Sequence, residues 1–177
     1  HHLSKSREVI KTAITKATGD NRVIVFGAGL GYDLPLEELT AHFREVLLVD
    51  LVHSLPIRWM AWRNPTAKLI THDITESLDN LLAGNLNIRS PSRFLADYQT
   101  DLIISSNILS QLPTLPAAYL EDDLKVSQDD IQAISKAIIQ CHLDYLRKFS
   151  GTVCLITDIE REIWDANGKL IKKFSAI

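Results

Sequence analysis

The sequence predicts a three-layer α/β fold built on one mostly parallel sheet, and three observations carry that expectation. Short apolar runs alternate with stretches of helical spacing along the 177 residues, which implies parallel pairing with helices on both faces. The first such run, Arg22 to Phe26, is apolar without alternation, as a strand covered on both faces requires. A glycine loop, Gly27-Ala28-Gly29-Leu30-Gly31, follows it at once and leads into renewed helical spacing.

Each element is justified in order. Val9, Ile10, Ala13, Ile14 and Ala17 recur at a spacing near 3.6 and predict an amphipathic helix over Ser4 to Thr18, ended by Gly19-Asp20-Asn21. After the first strand and its glycine loop, Leu34, Leu36, Leu39 and Phe43 predict a helix over 34–43. Val46 to Val49 is the second strand and runs into Asp50; Leu55 to Arg63 reads as a helix closed by Asn64-Pro65. Ala67 to Thr71 is the third strand, ending in His72-Asp73, and a helix is expected over Thr75 to Ala83. Gly84 to Thr100, rich in Asn, Ser, Pro and Gly, reads as a long connection. Asp101 to Ser105 is the fourth strand, and Pro113 and Pro116 break the stretch Ser106 to Glu121 into a loop with short helical pieces. Ser127 to Phe149 gives the longest helix, with Gly151 expected to cap its far end. Thr152 to Thr157 is the fifth strand; Glu162 to Trp164 and Lys169 to Ile171 flank Asp165-Ala166-Asn167-Gly168 as an antiparallel hairpin.

Composition narrows the function classes. The chain is 46% apolar and 23% charged, a globular balance expected of one domain over residues 1–177. Its formal net charge of −3 supplies no basic surplus for nucleic acid, so a small-molecule substrate is expected instead. No apolar run reaches the roughly 20 residues that span a bilayer, no signal-peptide core opens the chain, and a cytoplasmic location is expected. Cys141 and Cys154 fall in a helix and a strand and read as structural, reduced thiols. His42, His53, His72 and His142 are dispersed without partners at ligand spacing, so no metal is expected. His1 and His2 read as the remnant of an expression tag, and the stop at Ile177 straight after a strand-like segment leaves open whether the native chain extends past it.

The glycine loop and Asp50 are the pair that suggests a ligand. Glycines between a buried strand and a helix allow a sharp turn and close approach of a ligand to backbone N–H groups. Asp50 ends the second strand 23 residues after Gly27, where such folds place a carboxylate for both ribose hydroxyls. Tight helix–strand packing with Asp50 as a helix cap is the plainer account of the same residues.

Through Val23 to Gly31, Val46 to Asp50, His72-Asp73 and Asp101 to Pro113, the chain resembles the class I S-adenosylmethionine (SAM) dependent methyltransferase family. The resemblance implies a Rossmann-like sheet in the order 3-2-1-4-5, here with the hairpin expected at the strand-five side and no helix before it. It implies SAM as cofactor, with Gly27, Ala28, Gly29 and Gly31 at its methionine part, and Asp50 with Leu51 at the ribose. Asp73 would hold the adenine amino group with Ile74 beside the ring; Asp73 reads equally as the cap of the next helix. Ser106 and Asn107 would run beside the cofactor. The sequence departs from the family at Val25, where an acidic residue commonly stands near the methionine amino group.

Residues just after strands four and five face the ligand crevice of an open α/β sheet: Ser105, Ser106, Asn107, Gln111 and Asp158. Asn107 and Gln111 would orient the methyl acceptor and Asp158 would take its proton, or else start the turn into the hairpin. The acceptor pocket is expected between the 107–119 loop and a wall made by Asp158 and Glu160. Trp59 and Trp62 are expected to pack on the sheet, or alternatively to cover the adenine. Two other functions share these features: a nicotinamide-dependent oxidoreductase of Rossmann type, and a SAM-binding protein without catalysis.

Overall fold

The computed structural model describes residues 2–165 and 168–175; Ala166 and Asn167 of the expected hairpin turn, with His1 and Ile177, lie outside the described residues. Five strands, β1 (Arg22–Phe26), β2 (Glu45–Asp50), β3 (Ala67–Thr71), β4 (Thr100–Ser106) and β5 (Thr152–Ile156), form a sheet in the order β3-β2-β1-β4-β5. All of its pairings are parallel. This is the predicted Rossmann-like order, with the first strand at the centre.

The period of two along β1 explains why it reads as unbroken apolar sequence. Val23 and Val25 turn to one face, where they pack with Ile10 and Ala13 of α1 (His2–Ile14), Leu39 of α2 (Leu36–His42) and Ile57 of α3 (Leu55–Trp62). Ile24 and Phe26 turn to the other and meet Tyr145 and Leu146 of α6 (Gln128–Leu146). Two shorter helices, α4 (Leu78–Leu82) and α5 (Thr114–Asp122), extend that second layer through Leu81 and Leu120 against Ile131, Ile134 and Ile138. The α6 start is fixed locally: the Ser127 hydroxyl accepts from the Asp130 N–H at 3.2 Å, and Asp129 and Asp130 suit the positive end of the helix. Among the described residues, no helix is long and apolar enough to cross a membrane.

Three expectations need correction. The helix after the glycine loop starts at Leu36 rather than Leu34 and has only seven residues. Gly27, Gly29 and Gly31 all have positive φ, which interrupts any helix there, and Pro35 disfavours a helical Leu34. The helix over 75–83 shrinks to 78–82, because Asp73 and Thr75 side chains take N–H groups ahead of it. Gly151 does not cap α6, which ends at Leu146. It opens β5 instead, where an added Cβ would stand 2.6 Å from the Thr100 carbonyl oxygen.

The C-terminal hairpin is antiparallel, as expected. β6 (Glu160–Trp164) and β7 (Leu170–Ser175) pair antiparallel with each other as a separate two-stranded sheet and do not extend the β5 edge. Charge favours that choice: Lys173 of β7 reaches Glu160 at 2.7 Å and Glu162 at 3.4 Å, both on β6.

Candidate functional site

The C-terminal ends of β1, β2 and β4 converge on the glycine loop. The Gly27 N–H continues the sheet by donating to the Val49 carbonyl at 3.0 Å. Its positive φ of 81° is joined by a packing demand, since an added Cβ would stand 2.7 Å from Ile108 Cβ and 2.8 Å from the Ser106 carbonyl oxygen. Gly29 is the opposite case. The nearest atom to its absent Cβ is 3.9 Å away, so its upper side is open to a ligand.

Asp50 is held by the loop it faces. Gly29 N–H donates to its Oδ2 at 2.9 Å and Leu51 N–H to its Oδ1 at 2.8 Å, and the Ser54 hydroxyl returns to the Gly29 carbonyl at 3.0 Å. A carboxylate offers about four lone-pair sites, so these two bonds orient it and leave each oxygen able to accept again. Asp73 is used differently. Its Oδ1 accepts from Thr75 N–H at 2.9 Å and Thr75 Oγ1 at 2.7 Å, and its Oδ2 from Ser77 N–H at 3.0 Å and Leu78 N–H at 2.9 Å. Those four donors fill it and make it the brace of the turn that leads into α4, whose cap position is Ser77 rather than Asp73.

Two cavities meet over Asp50, Ile108 and Gln111. One, of about 240 Å³, is largely apolar and lies against Asp73, Ile74, Leu78, Leu112 and Leu115. The other, of about 360 Å³, lies over Gly27 and Gly29 and is walled by Asp33, Ser106, Asn107, Tyr32 and Leu3. Three carboxylates, Asp33, Asp50 and Asp73, line this pair of cavities, and among the described residues neither lining contains Lys, Arg or His.

Of the residues singled out from sequence, Gly27, Gly29, Asp50, Leu51, Asp73, Ile74, Ser106, Asn107 and Gln111 line these cavities. Ala28 and Gly31 do not: Ala28 is in the core, and Gly31 packs on Ile57. Asp158 lines neither cavity, and the wall expected from Asp158 and Glu160 is supplied by Leu3, Leu30, Tyr32 and Asp33. The 107–119 stretch does border the cleft, through Asn107, Ile108, Gln111, Leu112, Leu115 and Pro116.

Ser105 points away from the cleft, to a buried hydrogen bond of 3.0 Å with His142 Nε2. Burial pushes the His142 pKa down to about 4, so the ring is neutral there. The tryptophans depart from both accounts: Trp59 and Trp62 are 56% and 80% exposed and line neither cavity over the glycine loop. Ile57 and Ala61 are the buried face of α3, and Arg63 stacks over Trp59 at 4.8 Å.

Asp33 is the residue that sequence reasoning missed. Its Oδ2 accepts from Ser106 Oγ at 3.1 Å and from Asn107 Nδ2 at 2.8 Å, tying the glycine loop to the end of β4. Asn107 is held at three further points: a φ of 53°, its N–H on the Ile156 carbonyl at 2.8 Å, and Gln111 Nε2 on its own carbonyl at 2.7 Å. Its Oδ1 is buried without a hydrogen-bond partner. A buried acceptor left unmet costs about 1–3 kcal/mol.

No family model and no curated protein matches the chain. Among solved structures it is similar to the N-methyltransferase NodS from Bradyrhizobium japonicum WM9, at 14% identity and a TM-score of 0.45, covering 93% of this chain and 69% of that one. The Rossmann-like assignment rests on the chain's own sheet, with β1 at its centre and the order β3-β2-β1-β4-β5.

Proposed function

We propose that the chain binds SAM in the paired cavities and transfers its methyl group to a small-molecule acceptor. The observation that carries this reading is the charge of the site: three aspartates line it and, among the described residues, no basic side chain does. A dinucleotide brings a diphosphate, which such folds receive on the N-terminus of the helix that follows the glycine loop. Here that helix is only seven residues long and begins five residues after Gly31, at Leu36. An acidic cleft suits a nucleoside whose tail is cationic, and this favours SAM over a nicotinamide cofactor.

SAM supplies, when bound, a methyl group already activated on a sulfonium. Asp50 would accept from the ribose hydroxyls through the lone pairs that Gly29 and Leu51 leave open. Ile74, Leu78 and Leu112 would enclose the adenine in the apolar cavity, with Asp73 bracing that wall. Gln111 lines both cavities and with Asn107 would border the acceptor. The residues of the 107–119 stretch would exclude water from the transfer, whose main requirements are alignment and a dry site. No base role for Asp158 follows, since it lines neither cavity.

Titration calorimetry and thermal melting with SAM, S-adenosylhomocysteine, NAD and NADP separate the alternatives. Binding and a raised melting temperature are expected for the two adenosyl ligands only. A response to NAD or NADP with none to SAM would replace this reading with the oxidoreductase one. Binding of SAM without methyl transfer to any amine, thiol or hydroxyl in an acceptor panel would favour a SAM-binding protein without catalysis.

A further inference from the structure

We propose that Asp33, held in place by Ser106 and Asn107, forms an ammonium site at one end of the larger cavity, and that its occupant is the α-ammonium group of SAM. The proposal rests on the SAM reading and adds to it a residue, Asp33, that the resemblance does not supply. Val25, at the place where the family commonly carries an acid, is fully buried and packs into the core beneath the sheet, so it cannot meet a ligand in either cavity.

The geometry of the Asp33 and Asn107 pair defines what it accepts. A carboxylate offers acceptors only, so the Asn107 amide must present its NH₂ to Asp33, as the 2.8 Å bond shows. That fixes the amide the other way round as well, leaving Asn107 Oδ1 as the buried atom without a partner. Both described bonds to Asp33 end on Oδ2, and Oδ1 takes neither. The acceptor set that faces the cavity is therefore the Asp33 carboxylate, since Asn107 Oδ1 is buried away from it, and no described residue of the lining is basic.

A primary ammonium matches this set: it carries three donors and no acceptor, and its charge complements Asp33. Asp50 lines the same cavity. A ligand anchored at Asp50 by its ribose would extend its aminoacyl end over Gly29, whose upper side is open, toward Asp33. The bonds from Ser106 and Asn107 then hold the carboxylate in place before the ligand arrives, which lowers the ordering cost of binding.

The test is calorimetry with three probes, S-adenosylhomocysteine, its desamino analogue and 5′-methylthioadenosine, on the wild-type chain and on Asp33→Asn. The wild type is expected to prefer S-adenosylhomocysteine over the desamino analogue by roughly ten- to hundredfold, the range for losing a charged hydrogen bond. Asp33→Asn should erase most of that preference while changing the affinity for the other two probes less than about threefold. Equal wild-type affinity for S-adenosylhomocysteine and the desamino analogue would overturn the assignment without any variant. Equal weakening of all three probes by Asp33→Asn would overturn it too, by showing that Asp33 only braces the loop. A wild type that binds none of the three would remove the SAM reading itself, and the ammonium site with it.

Discussion

Asp50 and Asp73 show how one residue type, each placed just after a strand, serves two purposes. Asp50 is oriented by two backbone N–H groups and retains open lone pairs, whereas Asp73 is saturated by four donors around the start of α4. Asp50→Ala is therefore expected to weaken SAM binding by about 1–3 kcal/mol with a smaller loss of stability. Asp73→Asn should do the reverse: its amide NH₂ cannot accept, so donors at one of the two oxygens lose their partner, which costs about 1–3 kcal/mol of stability and changes affinity little. Chemical denaturation and calorimetry on both variants check the contrast, and a large affinity loss in Asp73→Asn would restore its adenine role. Asp50 was legible in the sequence because strand, glycine loop and acid stand in a fixed order. Asp33 was not, because a single acid in a loop has no period, and its value depends on Ser106 and Asn107 more than 70 residues away. Trp59 and Trp62 misled for a related reason: size suggests burial, but on an eight-residue helix the face chosen by Ile57 and Ala61 excludes them.

At the scale of elements, the strands were read almost to the residue, since their apolar runs report burial on both faces of the sheet. Helix boundaries fared worse wherever side chains compete for backbone N–H groups, as Asp73 and Thr75 do, or where positive φ at glycine delays the first turn. The packing of α6 on β4 has a consequence for pH. His142 of α6 is buried against Ser105 of β4, and its pKa falls from 6.5 to about 4 on burial. The unfolded chain takes up this proton near pH 6.5, while the folded chain resists it until about pH 4. Stability from the neutral ring is thus fully present above about pH 6.5 and is lost progressively as pH falls toward 4, by roughly 3 kcal/mol in all. Denaturation midpoints measured from pH 7 to pH 4 should show this decline, and His142→Gln should flatten that part of it. An unchanged slope in the variant would assign the acid sensitivity to other groups.

For the whole molecule, the parallel sheet places its glycine loop and the carboxylates of Asp33, Asp50 and Asp73 at one end, which is where the two cavities lie. The opposite end is tied by ion pairs from Arg22 to Glu45 and Asp97, and from Lys68 to Glu45. Binding and bracing are thus divided between the two ends of the same strands. The β6–β7 ribbon stands apart from both, as its partition into a separate sheet records. Ile163, Trp164 and Ile171 remain 46%, 54% and 63% exposed on it. A lone two-stranded ribbon is marginal in water, so its bonds should open without the rest of the chain unfolding. The molecule would then keep two clocks. In deuterated solvent the amides of 160–164 and 170–175 should exchange orders of magnitude sooner than those of Ile24 and Val25, and at a rate that low denaturant scarcely alters. Equal protection in the two regions would mean that the ribbon is secured by something beyond its own ladder. Otherwise β1 alone reports the lifetime of the fold, and the ribbon reports only its own.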